Sequence, residues 1–153
     1  MNVLDGMPTL SAGGHEAGTG RACVMEYVSL LAGERWSDNP KCTHPLLADV
    51  ARSVNDVLSD SNRHLLVPMI VRLFGTNAPV DKQFVDLAVS LRGTYGLTST
   101  FTLSTLAYEN PPKAVRFLSD LIDIYDRLSG RNTTHKLTDA DMKVLVSVGG
   151  ESK

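Results

Sequence analysis

The segment RACVMEYVSLLAGERWSDNPKC, residues 21–42, is the most distinctive part of the chain, because it joins an almost wholly apolar helix to a stiff polar turn. From Ala22 to Ala32 nearly every residue is apolar, and the exceptions Glu26 and Ser29 lie three positions apart on one helical face. Gly33 then supplies a helix stop. A helix that is apolar on almost every side is buried, so we expect the other elements to pack around this one.

Apolar stripes at helical spacing recur along the rest of the chain and predict further helices. Pro45 suits the first position of the second helix, with Thr43 or His44 as its cap, and Pro68 inside the third predicts a kink near Leu65. One further segment fits a strand as well as a helix, and its helical neighbours favour a helix. The segments are 45–58, 61–75, 81–93, 98–108 (the ambiguous one), 110–130 and 138–148.

The length predicts one domain, residues 1–153, and the succession of helix caps, apolar stripes and glycine stops predicts an all-α fold of six or seven helices. The first 20 residues hold five glycines and no helical period, so we expect them to form a short irregular or hairpin arm. With 42% hydrophobic residues, a net charge of −2 and a pI near 6.0, the chain has no overall attraction for nucleic acid. No window approaches the roughly 18 apolar residues of a membrane span, and no leader pattern is present. We therefore expect a cytoplasmic protein that binds neither membrane nor nucleic acid.

Two cysteines and two histidines surround the first helix and suggest two kinds of chemistry. His15, Cys23, Cys42 and His44 offer the thiolate and imidazole ligands that zinc prefers, although paired ligand motifs such as CxxC are absent. Alternatively, Cys23 near a helix N-terminus has a lowered thiol pKa and acts as a nucleophile, with His15 or His44 as base. The simpler interpretation is that Cys23 is a core residue and Cys42 a turn residue.

Three other residues of the opening stretch are candidate binding residues. Glu26 lies on a helix so apolar that a carboxylate there needs a partner, and we expect Arg35, Arg52 or a histidine to supply it. Trp36 offers an aromatic surface and Asp38 a nearby charge, which together could bind a partner. The plainer interpretation is that Trp36 packs over the helix end while Ser37 or Asp38 caps the connector, residues 34–43, between the first two helices.

Three segments of the first half resemble a group of small uncharacterised proteins from actinobacteria and their phages. The segments are GGHEAGTGRACVMEYVSLLAGERWSDNPKC (13–42), SVNDVLSD (53–60) and LLVPMIVRLFGTN (65–77), and the likeness spans about residues 8–77. The chain departs from the shared pattern at Tyr27, Asn39 and Val54. The resemblance implies an actinobacterial or phage source and no particular activity. The matching positions are His15, Cys23, Glu26, Gly33, Glu34, Trp36, Ser37, Asp38, Pro40, Cys42, Asn55 and Asp56.

These observations leave two main hypotheses of function. The first is a small interaction or regulatory protein, bacterial or phage-encoded, that binds a host protein through a helical face and needs no catalytic activity or cofactor. The second is a small metal- or thiol-dependent enzyme built on His15, Cys23, Glu26 and Cys42. A DNA-binding protein is a weaker third, because the connector GTNAPV is long for a helix-turn-helix and the segment after it is not notably basic.

Overall fold

Helices form the framework of the protein in its computed structural model, in which residues 8–131 are described. Within this range the chain is a mostly helical single domain with a short N-terminal strand region, which confirms the predicted fold class. The predicted helix at 138–148 lies outside the described residues. In chain order the elements are strands β1 (Thr9–Leu10) and β2 (Arg21–Ala22), helices α1 (Val24–Leu31) and α2 (Pro45–Val57), a 3₁₀ helix (Arg63–Leu66), and helices α3 (Val67–Leu73), α4 (Asp81–Thr94), α5 (Leu103–Glu109) and α6 (Pro111–Ser129).

Helix α1 is the buried centre that its sequence predicts, although it begins two residues later than expected. Cys23 is the N-cap, and its Sγ accepts the Glu26 backbone N–H at 3.4 Å. The Glu26 carboxylate in turn accepts the Cys23 backbone N–H at 2.8 Å, which completes a capping box. Every residue from 22 to 29 is buried, and Gly33 adopts a left-handed φ of 70° just after the helix.

The N-terminal arm runs parallel to the chain that follows it and does not form an antiparallel hairpin. Thr9 pairs with Arg21 and Leu10 with Ala22 in a parallel register, held by the Thr9 N–H bond to the Gly20 carbonyl at 2.7 Å. The connection 11–20 contains glycines with positive φ, which let the chain turn back within so short a loop. The pairing buries Leu10 against the core.

Helix α2 forms as its sequence predicts, with His44 rather than Thr43 as its side-chain cap. The Leu46 N–H donates to His44 Nδ1 at 3.1 Å, and Pro45 occupies the first turn. The predicted inward stripe is fully confirmed, because none of its members exceeds 2% exposure. The stripe consists of Leu47, Ala51, Val54 and Leu58.

Pro68 divides the third helical segment instead of merely bending it. Residues Arg63–Leu66 form a 3₁₀ helix, and α3 starts afresh at Val67 with Pro68 in its first turn. Because proline lacks an N–H, it cannot bond back to residue 64 in a continuous α-helix, but the first turn of a new helix needs no such bond. The predicted single kinked helix is therefore wrong in this detail.

The second half of the domain packs around the long helix α6. Asn110 caps α6 through a bond from the Lys113 N–H, and the chain leaves it through a left-handed Gly130. The ambiguous segment 98–108 begins as a turn, and α5 forms only after Thr102, whose hydroxyl is the N-cap. Helix α4 packs along α6 yet buries only Phe84 and Ala88. Large fully buried side chains of the core include Tyr27, Tyr125, Phe84, Phe117 and Met25.

Candidate functional site

The Glu26 carboxylate is the centre of a buried polar group at the start of α1. Glu26 is 3% exposed, which confirms its predicted burial. Its Oε1 accepts the Cys23 N–H at 2.8 Å and lies 3.1 Å from His15 Nδ1, and its Oε2 accepts the His15 N–H at 2.7 Å. Of the expected partners, a histidine rather than Arg35 or Arg52 therefore supplies the contact.

These bonds keep Glu26 ionised despite its burial. Burial by itself raises the pKa of a carboxyl group, but the donors from Cys23 and His15 outweigh it and lower the Glu26 pKa below its ordinary value of 4.5. A general base works best with a pKa near the working pH. The arrangement therefore suits Glu26 for holding the chain in place and not for accepting a proton during a reaction.

Trp36 and the two serines near it extend this group toward the connector. Trp36 Nε1 donates to the His15 carbonyl at 2.7 Å, so the indole fixes the same loop that Glu26 binds. Ser29 Oγ donates to the Glu26 carbonyl at 2.7 Å and accepts the Ser37 N–H at 3.2 Å. Both polar residues of the apolar helix α1 are thus used to position neighbouring segments.

Helix α2 holds the arm from the other side. Asn55 Oδ1 accepts the Val24 N–H at 3.1 Å while Asn55 Nδ2 donates to the Ser11 carbonyl at 3.0 Å. Asp56 Oδ1 accepts the Gly13 N–H at 2.8 Å. Side chains from α1, α2 and the segment between them thus bind the arm. We call them the arm network: His15, Glu26, Trp36, Asn55 and Asp56.

Asp38, the third candidate binding residue, lies at the exposed end of the connector. Its carbonyl accepts Arg52 Nη1 at 2.6 Å, which ties the connector to α2, and the residue itself is exposed. Arg52 also pairs with Asp49 one turn earlier on the same helix. Asp38 is therefore accessible, whereas Glu26 is buried and Trp36 is half-buried and bonded.

The thiol of Cys23 has the opposite pKa shift from the one expected at a helix N-terminus. Cys23 is 2% exposed, and burial raises its pKa to about 12, with the neighbouring Glu26 carboxylate adding to the shift. Desolvation of a thiolate outweighs the helix dipole here, because the thiol is buried and the Glu26 carboxylate beside it already carries a negative charge. Cys23 is consequently a protonated thiol near neutral pH.

Cys42 belongs to the connector and shares it with a second carboxylate. Glu34 accepts the backbone N–H groups of Lys41 at 2.9 Å and Cys42 at 3.0 Å. Burial raises the pKa of the Cys42 thiol, and Glu34 raises it further. The Cys42 Sγ lies 3.6 Å from Thr43 Oγ1. This second thiol is also disfavoured as a nucleophile.

His44 uses both ring nitrogens within the fold. Nδ1 accepts the Leu46 N–H, which leaves Nε2 as the protonated nitrogen that donates to Asp81 Oδ1 at 2.7 Å. The ring also lies edge-on to Phe84 and Tyr125, at centroid distances of 4.9 and 6.0 Å. His44 thus joins the start of α2 to the start of α4.

The four predicted zinc ligands take part in different hydrogen-bonded groups. His15 and Cys23 meet at Glu26, whereas Cys42 bonds near Glu34 and His44 bonds Asp81. Among residues 8–131, no group of three or more His, Cys, Asp or Glu side chains is arranged to hold a metal ion. Zinc binding by this set stays a prediction.

An exposed apolar surface on α4 is the feature that the sequence did not reveal. Val85, Leu87 and Val89 are 42%, 43% and 63% exposed. Leu87 also lines an open groove of about 400 Å³ between α4 and α6, with Ser90, Leu91, Thr94, Ile124, Arg127 and Leu128. The pair Val85 and Val89 is the sequence signal that could have revealed this exposed surface. These valines are four residues apart and lie outside the apolar stripe of α4 that contains Phe84 and Ala88.

Comparison with known proteins gives no family for the chain. No protein-family model matches it, and no curated protein or solved structure is significantly similar to it. In the described part of the chain, none of the helices combines the length and the hydropathy that crossing a membrane would take.

Proposed function

We propose that this is a small cytoplasmic interaction or regulatory protein that binds another protein through the exposed face of α4 and has no catalytic activity. The supporting observation is the exposure of α4. Of the five large hydrophobic residues exposed in the described part of the chain, two, Val85 and Val89, lie one turn apart on one face of this helix. Apolar side chains concentrated on one exposed face are typical of a protein-binding site, whereas scattered ones are ordinary.

The chemistry of the α4 face defines the kind of partner. Val85 and Val89 lie one turn apart and form its apolar centre, and the exposed Asp86 and Arg92 flank them on opposite sides. A complementary surface presents aliphatic side chains to the valines, a basic group to Asp86 and an acidic group to Arg92. The partner is a protein of the host, either the bacterium that encodes this chain or the bacterium infected by its phage.

The state of the candidate catalytic residues favours this proposal over the enzyme hypothesis. The Cys23 and Cys42 thiols both have raised pKa values, and the Glu26 pKa is lowered. A thiol nucleophile needs a lowered pKa, and a general base needs a pKa near neutrality. The pKa of each of these groups is therefore shifted away from the value that the enzyme hypothesis requires. The arm network instead has the properties of a buried structural group.

The test uses a photo-crosslinking amino acid at Lys82, which is exposed beside the valine pair, in living actinobacterial cells. The captured protein is purified, and its affinity is measured by calorimetry for the unmodified chain and for Val89→Asp. We expect at least about a tenfold loss of affinity, since a charge placed at the centre of an apolar interface costs more than ~1.4 kcal/mol.

Ser104→Asp is the matched control, because Ser104 is an exposed helical residue on α5 and receives the same charge. Val89 is exposed enough that its aspartate variant folds, which circular dichroism checks. Equal affinities for Val89→Asp and Ser104→Asp would exclude the α4 face as the binding surface. Failure to capture any protein that binds the purified chain would contradict the proposed function itself.

A further inference from the structure

The groove between α4 and α6 combines aliphatic walls with one basic side chain. Leu87 and Leu91 of α4 form one wall, and Ile124 and Leu128 of α6 form the other. The groove has a volume of about 400 Å³, which lies within the range of small-molecule sites in proteins, roughly 300–1,000 Å³. Leu87 is 43% exposed, so in the described part of the chain a ligand can reach this wall from solvent.

Arg127 supplies the charge at the rim of the groove. It is exposed, and it makes no ion pair with any residue of the described range. The carboxylates nearest to it along α6 are engaged elsewhere, because Asp123 pairs with Arg72 and Asp126 pairs with Arg131. The Arg127 guanidinium therefore lacks a counter-charge within this range, and an anionic ligand can supply one.

The two hydroxyl groups of the groove add little polarity to it. Thr94 Oγ1 donates to the Ser90 carbonyl at 3.3 Å, which is a bond within α4. Ser90 and Thr94 are the polar residues that line the groove besides Arg127. A ligand that matches this lining is apolar along most of its length and carries a negative charge at one end.

Helices α4 and α6 run antiparallel, which places Arg127 at one end of the groove. Tyr95, just after α4, donates to Asp120 Oδ2 at 2.5 Å. Phe84, in the first turn of α4, packs edge-on against Tyr125 farther along α6, at a centroid distance of 5.6 Å. Arg127 follows Tyr125 and so lies toward the start of α4. The rest of the groove extends from it toward the end of that helix.

We propose that this groove binds one free medium-chain fatty acid, with its carboxylate on Arg127 and its hydrocarbon chain along Leu87 and Leu91. A planar guanidinium matches a carboxylate in a bidentate pair. The wall from Leu87 to Thr94 is about 10 Å long, which the extended chain of decanoate covers. One groove with one cation fits a single-chain acid from solution, whereas a membrane lipid carries two chains.

The site is independent of the partner-binding proposal, because Leu87 and Leu91 lie on the other side of α4 from Val85 and Val89. A fatty acid in the groove leaves the two valines exposed. Each proposal can therefore fail without the other.

The test is a titration of the full chain with sodium decanoate, followed by nuclear magnetic resonance of labelled isoleucine methyl groups. The chain has three isoleucines: Ile124 lines the groove, whereas Ile70 and Ile122 are fully buried in the core. We expect the Ile124 methyl signal to shift until it saturates, while the Ile70 signal stays in place. Nuclear Overhauser contacts from the decanoate chain to the Ile124 methyl should appear in the saturated sample.

Arg127→Gln should weaken decanoate binding at least about threefold, because the neutral amide loses the ion pair with the carboxylate. Arg116→Gln is the matched control, since Arg116 is an exposed arginine of the same helix that does not line the groove. An unchanged Ile70 signal shows that both variants keep the folded core.

The proposal is overturned if decanoate causes no saturable shift of the Ile124 signal at millimolar concentration. Equal affinities of Arg127→Gln and Arg116→Gln would also overturn it, because the carboxylate then does not bind Arg127. A shift that appears with phosphatidylglycerol vesicles but not with free decanoate would identify a membrane surface as the ligand and overturn it as well.

Discussion

Replacing Glu26 by glutamine tests whether the buried carboxylate holds the arm to the helices. Glutamine keeps the shape of the side chain but replaces one acceptor oxygen by an NH₂ group, and three donors converge on the two oxygens of Glu26: the backbone N–H groups of Cys23 and His15 and the His15 ring. In its better orientation the amide oxygen takes the position of Oε1. The NH₂ group then faces the His15 N–H.

The expected cost follows from this geometry. One buried donor loses its acceptor, which costs about 1–3 kcal/mol, and the remaining bonds lose the strengthening that a charged acceptor gives, about 1 kcal/mol more. We expect Glu26→Gln to lower the free energy of unfolding by roughly 2–4 kcal/mol, or the melting temperature by roughly 4–16 °C for a domain of this length.

The assay is urea unfolding followed by tryptophan fluorescence, since Trp36 bonds the same loop through the His15 carbonyl. Glu109→Gln is the control, because Glu109 is exposed and a surface change of this kind stays within about 0.5 kcal/mol. A loss from Glu26→Gln no larger than that of Glu109→Gln would refute the reasoning.

The pH dependence of the same pair gives an independent check. The folded Glu26 pKa is lowered from its ordinary 4.5, so its contribution to stability is fully present above the unfolded pKa and is lost as pH falls through the folded pKa. The difference in stability between the unmodified chain and Glu26→Gln should therefore shrink as pH is lowered below about 4.5. A difference that stays constant through this acid range contradicts the assigned shift.

The other predictions concern one thiol, one phenol and one imidazole. Cys23, with its pKa raised to about 12 by burial, should react with a disulfide reagent only on unfolding and more slowly than the half-buried Cys42; comparable native rates would contradict this. The Tyr95 pKa is raised by burial and by its bond to Asp120, so Asp120→Asn should lower it in an ultraviolet titration, and no change would argue against the bond. His44→Ala removes the α2 cap and should cost about 0.5–2 kcal/mol or more in urea unfolding; a neutral result would mean that the cap is dispensable.

Much of the helical framework was predictable because its signals are local. Pro45 and the cap before it start α2, Asn110 with the prolines after it starts α6, and Gly33 ends the region of α1. Such signals act on backbone groups within one turn, so neighbouring residues suffice to place them. Burial of α1 was predictable for the same reason, since nearly all of its side chains are apolar.

The parts that the sequence left open depend on distant contacts. His15 and Glu26 are 11 positions apart, and Asn55 reaches Val24 across 31 positions, so only the folded chain identifies the carboxylate's partner and the arm's attachment. The same is true of the Cys23 pKa, because desolvation depends on everything that surrounds the sulfur.

Helical periodicity and caps are properties of consecutive residues, so they were enough to predict an all-α domain with a buried first helix. Which apolar residues stay uncovered depends instead on how the helices pack against one another. Phe84 and Val89 are both large apolar residues of α4. Helix α6 nevertheless covers Phe84 and leaves the Val89 side chain 63% exposed. Burial is a relation between segments, so a helix's own sequence does not state which of its apolar faces finds a neighbour.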